Sequence, residues 1–250
     1  MEAYVFYSHY DYSDVWPLMF GQSKKFLQDK KKYLITNKVG EYNTEDWTFI
    51  TYNDSDSYQQ RVHKSLERID EDVLIFHHED MFLMSEPNWV QMSRLVNLVE
   101  SEEIDIIKLI KASYNEFSDE PKGENLFYNP TNLLFAIQPS IIRKNKLLNI
   151  YKHTKGNSIW EFEKNSNNLV EFLNYSSCYY YEGSENKRGL FHWDSIVYPY
   201  VATAVVKGKW DYESYPMELD NLLSEYKIDP NRRGKKMEFW SKHVNGIETL

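Results

Sequence analysis

The chain predicts an α/β fold, in which a mainly parallel central sheet carries helices on both faces, and three observations lead there. Through the first half, short runs rich in aromatic and β-branched residues alternate with segments of helical period, the pattern of strands joined by crossover helices. One of those runs, Val73-Leu74-Ile75-Phe76, is apolar at every position rather than at alternate ones, as a strand covered on both faces requires. The strand-like runs also end in polar, turn-forming residues, and the ligands of open α/β sheets sit at the carboxyl ends of strands.

In chain order, Ala3 to Ser8 reads as the first strand and His9 to Asp14 as a polar loop. Val15 to Leu27 has helical spacing behind Ser13 or Asp14 as cap, with Pro17 in the first turn, so that these pieces make half of a βαβ unit. Tyr33 to Thr36 and Trp47 to Tyr52 supply two more strands, ending at Asn37 and at Asn53-Asp54. Tyr58, Val62, Leu66 and Ile69 recur on one helical face and lead into the Val73 strand. Pro87 to Val99 is helical, and Ile104 to Ile110 is a strand.

The second half is more mixed. Leu133 to Gln138 reads as a strand stopped by Pro139, and Ser140 to Tyr151 as a helix with Ile141, Ile142, Leu147, Leu148 and Ile150 inward. Ser158 caps a further helix, with Glu161 at the capping-box position. Cys178 to Tyr181, Gly189 to Trp193 and Val197 to Val206 are strand-like, and Met217 to Tyr226 closes the chain with a helix. Internal repeats and Ser/Gly/Pro-rich linkers are absent, which favours one domain over 1–250, with a nucleotide-binding half of about 1–115 and an acceptor-binding half of about 116–250.

Composition narrows the function. The 250 residues are 42% hydrophobic, with 20 Tyr, 7 Trp and 13 Phe; rings beyond what a core needs suit bases and sugars. A net charge of -9 excludes a general nucleic-acid binder, which needs a basic stripe. The basic run Arg232-Arg233-Gly234-Lys235-Lys236 reads as a solvated tail. A single cysteine, Cys178, rules out an internal disulfide and a cysteine-based zinc cluster and points to a reducing compartment. No apolar stretch is long enough to span a membrane, and the start of the chain lacks a signal-peptide pattern, so a cytoplasmic protein is expected.

The acids after the Val73 strand carry the chemistry. Glu79 and Asp80 stand where a site should be, and carboxylates there can hold a divalent cation against nucleotide phosphates; the same acids also suit a helix cap or a turn. Neither G-x-G-x-x-G nor a P-loop occurs, and with 9 glycines a glycine cradle for phosphate is not expected. A metal ion can replace it.

Phe6 to Trp16, His78-Glu79-Asp80, Gln138-Pro139-Ser140 with Ser158 to Glu163, and Lys207-Gly208-Lys209-Trp210 follow one another in an order that resembles the GT-A fold of nucleotide-sugar-dependent glycosyltransferases. The likeness is strongest to small bacterial and viral enzymes that build surface glycans. It implies that Ser8, Tyr10, Asp11, Asn37 and Arg61 hold the nucleotide, with Tyr7 or Tyr10 stacked on the base. It further implies that Asp80 is the main metal ligand, that Glu79 is a second ligand or binds the ribose or sugar hydroxyls, and that His192 adds a late ligand. Oxygen ligands favour Mg or Mn, and an imidazole tilts the choice to Mn. His78 stands where many such enzymes have a carboxylate.

On the same resemblance Lys207 and Lys209 meet the diphosphate as point charges, and Glu163, or else Glu161, takes the acceptor's proton beside Trp160 as a sugar platform. Each has a plainer structural reading, as a solvated turn or a helix start. The expected activity is metal-dependent transfer of a sugar from a nucleotide-diphosphate sugar to a glycan hydroxyl. The alternatives are a non-catalytic carbohydrate- or nucleotide-binding protein of the same fold, and a metal-dependent nuclease or nucleotidyltransferase, for which a second acid pair is missing.

Overall fold

The structure, a computed structural model, describes residues 2–42, 44–112, 119–188 and 192–236. Its elements are β1 (Glu2–Tyr7), α1 (Trp16–Phe26), β2 (Lys31–Thr36), β3 (Trp47–Thr51), α2 (Tyr58–Leu66), β4 (Val73–His78), α3 (Trp89–Glu100) and β5 (Ile106–Lys108). Then come β6 (Pro121–Gly123), β7 (Leu126–Tyr128), β8 (Ser140–Arg143), α4 (Lys144–His153), α5 (Ile159–Phe172) and β9 (Ser177–Tyr180). The small pieces β10 (Lys187–Arg188), β11 (His192–Trp193), β12 (Val205–Val206) and β13 (Lys209–Asp211), helix α6 (Pro216–Glu225) and β14 (Lys235–Lys236) complete it.

A nine-stranded sheet in the order β3-β2-β1-β4-β8-β5-β9-β7-β6 runs through the molecule. Its first four strands are parallel, β8 is antiparallel to β4 and β5, β9 is parallel to β5, and a β7–β6 hairpin closes the far edge. The fold is thus mixed α/β, with a mostly parallel sheet. Helices cover both faces, because α1 links β1 to β2 in one direction along the sheet and α2 links β3 to β4 in the other, and right-handed crossovers then diverge. Ring contacts agree: Phe6 and Phe20 of α1 both meet Trp47, whereas Tyr58 of α2 and Tyr151 of α4 meet Tyr7 and Phe76 on the opposite face. Val73 to Ile75 are wholly buried between β1 and β8, as their unbroken apolar pattern predicts.

Several segments differ from their sequence-based assignment. Val15, not Ser13 or Asp14, is the N-cap of α1 and makes no side-chain bond, while the Asp14 carboxylate pairs with Arg233. Ser140 to Arg143 is a strand, and the helix begins at Lys144. The gap between β4 and β5 is filled by these residues, whose two isoleucines suit a strand covered on both sides. Leu133 to Gln138 stays out of the sheet. Val197 to Val206 is irregular until β12, apart from a bridge between Tyr200 and Leu83. Of Gly189 to Trp193, residues 189–191 lie outside the described residues, and His192-Trp193 forms β11. The basic run is not a solvated tail: Lys235-Lys236 pairs with β13, and Arg233 is largely buried. No helix among the described residues is long and apolar enough to cross a membrane.

Leu133 to Gln138 leaves the sheet because α5 satisfies its backbone. Asn167 accepts the Phe135 N–H at 2.9 Å and donates to the Phe135 carbonyl at 3.0 Å, and Glu163 accepts the Ile137 N–H at 2.7 Å. Side chains of one helix thus stand in for a neighbouring strand. Asn167→Ala leaves both Phe135 groups buried without partners and is expected to lower the unfolding free energy by about 2–4 kcal/mol in urea titration. A loss below about 0.5 kcal/mol would show that this clasp is not needed.

Candidate active site

The carboxyl ends of β1, β2, β3 and β4 share one edge of the sheet, because parallel strands in register stop together. Tyr7 pairs with Ile35 and with His78, so the loops after β1, β2 and β4 leave side by side. The Glu79 N–H donates to the Tyr7 carbonyl at 3.2 Å, which carries the pairing one residue past β4 and seats the two acids beside the β1 loop.

Both acids are nearly buried, Glu79 at 7% and Asp80 at 9% exposure. Burial pushes the Asp80 carboxyl up to about 6, against N–H donors that include Val205 and against the charge of Arg233. Burial and the neighbouring Asp80 raise Glu79 well above the usual carboxylate range. One Asp80 oxygen accepts the Val205 N–H at 3.1 Å, and the Asp80 carbonyl accepts that of Ala204. From this anchor rises the β12–β13 hairpin, whose turn residues Lys207 and Gly208 both have positive φ, of 50° and 78°. Lys207 and Lys209 stand exposed at its tip.

Arg233 completes this cluster. Its Nε and Nη2 donate to the two oxygens of Asp14 at 2.6 and 2.5 Å, and its guanidinium lies 4.7 Å from the Tyr12 ring. Nη1 reaches the hairpin carbonyl of Gly208 at 3.5 Å. One guanidinium is therefore paired with Asp14, and its charge is also felt at Glu79 and Asp80. Carboxyls crowded together under burial exchange their protons for a hard divalent cation more readily than they lose them to water, and magnesium-type sites often take one or two protein carboxylates and let substrate phosphates fill the remaining positions. Glu79 and Asp80 fit that role. A cage built by protein alone is not there: among the described residues no three His, Cys, Asp or Glu side chains converge to hold a metal. His192 is buried with its Nε2 2.8 Å from the Tyr215 hydroxyl, and burial pulls its pKa down to about 4.

The other expected nucleotide-site residues divide into two groups. Ser8 is wholly buried, and its hydroxyl accepts the Trp16 indole N–H at 2.7 Å, so it positions the loop from within. Arg61 donates to the Asp54 and Asp56 carbonyls and lies 5.1 Å from the Tyr52 ring, fixing the turn before α2. By contrast Tyr10, Asp11 and Asn37 meet at the surface: the Tyr10 N–H donates to Asn37 at 2.8 Å, Asn37 donates to Asp54 at 2.9 Å, and His9 lies between Asp54 and Asp11. Beside them a cleft is lined by Tyr10, Ser13, Lys38, Gly40, Glu41 and Tyr42. Gly40 has φ +65°, and a Cβ there would come within 2.6 Å of the Tyr10 ring, so this wall requires glycine.

Glu163 and Glu161 have separate positions on α5. Glu161 is exposed and accepts the Asn157 N–H at 2.8 Å, ahead of the Ser158 cap. Trp160 is 67% exposed. Glu163 is half-buried, with one oxygen held by Ile137, and burial raises its pKa. The charge of Lys108 works the other way on Glu163; that lysine is itself fully buried, donates to the Leu133 carbonyl at 2.8 Å and is pulled down to about 7. The Tyr58 hydroxyl lies 3.0 Å from both His78 Nε2 and the Tyr151 hydroxyl, and the Glu163 charge is felt at both tyrosines. A buried polar chain therefore runs from beside Glu79 toward Glu163.

Sequence reasoning missed His9, Asp14, Asp54, Lys108 and Arg233. Position after a strand was a usable signal for His9 and Asp54. Nothing local marks the pairing of Arg233 with Asp14, 219 positions apart.

No protein-family model matches the chain, and no curated protein matches its sequence. Among solved structures, bifunctional IspDF from Campylobacter jejuni is similar over 76% of this chain and 51% of its own, at 16% identity and a TM-score of 0.45. The chain thus spans about half the length of that protein. TarS 1-349 from S. aureus is similar over 91% of this chain and 64% of its own, at 12% identity and a TM-score of 0.48. The 2-C-methyl-D-erythritol 4-phosphate cytidylyltransferase from Thermus thermophilus is similar over 91% and 100%, at 13% identity and a TM-score of 0.45. Similarities at this level assign neither a family nor an activity.

The acid pair makes a pH prediction. An unfolded aspartate titrates near about 3.9, so between there and about 6 the folded chain holds a proton that the unfolded chain has released. Stability from this carboxyl is full below the unfolded value and is lost as pH rises through the folded one. Unfolding free energy of the metal-free protein should fall across that window, and Asp80→Asn should flatten the fall and stabilise the protein at pH 7. An unchanged slope in the mutant would assign the titration elsewhere.

Proposed function

We propose that this protein is a glycosyltransferase of GT-A type, which moves a sugar from a nucleotide-diphosphate donor to an acceptor hydroxyl with a divalent cation, Mn or Mg. The observation that carries the reading is the buried Glu79-Asp80 pair at the carboxyl end of β4, whose charged forms burial disfavours and a bound cation would restore. Breaking the bond from the anomeric carbon to the diphosphate builds charge on the leaving oxygens, and a cation held by Asp80 and Glu79 would stabilise that charge. Lys207 and Lys209, exposed on the hairpin that is anchored to Asp80, would supply positive charge to the diphosphate. Tyr10, Asp11 and Asn37 offer hydrogen bonds and a ring for the nucleoside beside the Tyr10 cleft.

Glu163 would accept the acceptor's proton. Its raised pKa, its anchoring by Ile137 and the nearby Lys108 suit a base better than the surface position of Glu161 does. A glycan acceptor would lie along the start of α5, with exposed Trp160 as platform.

The test is release of free nucleotide from UDP-, GDP-, CMP- and dTDP-sugars with and without manganese, alongside thermal shift, since a ligand of the native state raises its melting temperature. Stabilisation without turnover on any acceptor would indicate a binding protein, and pyrophosphate release from a nucleoside triphosphate would indicate nucleotidyl transfer. Asp80→Asn is expected to abolish the manganese-dependent part of donor binding, read by titration calorimetry. Glu163→Gln keeps an oxygen for the Ile137 N–H, so it should fold and bind donor normally while transfer falls by roughly 10²–10⁴-fold. Glu161→Gln should leave transfer nearly intact, and normal transfer by Glu163→Gln would remove α5 as the source of the base.

A further inference from the structure

Arg233 has an arrangement that a structural staple does not need. Its side chain is 11% exposed and that of Asp14 10%, and the two form a bidentate pair inside the acid cluster rather than at the surface. Tyr12 and Trp210 flank the guanidinium at 4.7 and 5.8 Å, which keeps its plane fixed whichever anion occupies the fork. Nε, Nη1 and Nη2 each make one bond, to Asp14 or Gly208, and among the described residues no further partner takes the second N–H of Nη1 or Nη2. The Gly208 contact also ties Arg233 to the tip of the hairpin that carries Lys207 and Lys209. A carboxylate that spans a guanidinium with two oxygens has the shape and charge of two phosphate oxygens, and the two kinds of anion compete for one fork.

We propose that Asp14 is a built-in competitor for a diphosphate-binding fork on Arg233, so that a diphosphate ligand binds by displacing Asp14 from the guanidinium. The inference rests on the reading of the acid cluster as a donor-phosphate site. It adds what that reading lacks, a largely buried cation beside the acids and a reason for its masking. Masking has a physical use. An unpaired buried guanidinium is costly, and Asp14 removes that cost while leaving an exchange of one anion for another. Displaced Asp14 is then a third carboxylate beside Glu79 and Asp80, so the diphosphate and the divalent cation should bind with positive coupling.

Substitution of the two partners gives opposite signs, which a staple cannot do. Binding of inorganic pyrophosphate and of UDP, GDP, CDP and dTDP is measured by titration calorimetry, with and without manganese. The proteins are wild type, Asp14→Asn, Arg233→Gln and the double variant. Without manganese, Asp14→Asn should bind pyrophosphate about tenfold more tightly and Arg233→Gln at least about tenfold more weakly, with the double variant following Arg233→Gln. Coupling between pyrophosphate and manganese should shrink in Asp14→Asn. If Asp14→Asn does not fold, the Arg233 Nε–H resonance of the wild-type protein replaces it: it should shift on adding pyrophosphate, and a stationary resonance overturns the proposal. Weaker or unchanged pyrophosphate binding by a folded Asp14→Asn also overturns it and leaves Arg233 as a staple for β14. Wild-type protein that binds no probe at millimolar concentration overturns the transferase reading together with the competitor, whereas binding indifferent to both substitutions overturns the competitor alone.

Discussion

The pairing of β1 with β4 is the constraint on which the site depends. Both strands are parallel and fully buried at their centres on both faces, so a slip by one residue would exchange the side chains that pack on each face and break their close-packed contacts. Their register sets Tyr7 beside His78, and the next backbone bond, from Glu79 to Tyr7, holds the acids against the loop that carries Asp14. The two residues that follow an apolar strand thus deliver two carboxylates to a buried place. The raised pKa values of Glu79 and Asp80 express that placement as electrostatics: the fold holds them where their charged forms are disfavoured.

The second half of the chain builds on this frame by enclosing it. The β12–β13 hairpin starts from a hydrogen bond to Asp80, β14 docks on that hairpin, and Arg233, just ahead of β14, reaches back to Asp14. Across the sheet, α2 and α4 bring Tyr58 and Tyr151 into one polar chain that begins at His78, near enough to Glu163 on α5 for its charge to be felt at both tyrosines. Burial lowers the His78 pKa to about 4, so it enters this chain as a neutral imidazole that can accept or donate. The two halves of the site are therefore joined by β4 itself, which carries His78 toward one face and Glu79 into the acid cluster.

Buried lysines show how the same fold satisfies groups that composition would place outside. Lys32 lies in β2 with a wholly buried side chain, and its ammonium donates to the carbonyls of Leu27, Gln28 and Lys30 just after α1. Carbonyls at a helix end lack partners within the helix and carry partial negative charge, so a cation there is stabilised. Lys108 plays a similar part for Leu133, with the added field of Glu163.

The sequence by itself determined the parallel half of the sheet, the helices that cross it, and the position of Glu79-Asp80 at a strand end. These follow from local patterns: an apolar run too short for a helix, helical spacing between runs, and polar residues at their ends. It also carried the Ser158 cap, because capping is decided within four residues. Tertiary structure alone decided that Leu133 to Gln138 is clasped by α5 while Ser140 to Arg143 takes the place in the sheet. Both stretches are apolar enough for a strand, and the choice depends on which backbone finds partners. It likewise decided the fates of Ser8, Arg61 and Arg233. A hydroxyl or a guanidinium looks equally suited to ligand or protein in the sequence, and only the groups that fold against it, from Trp16 to Asp14, show which it meets.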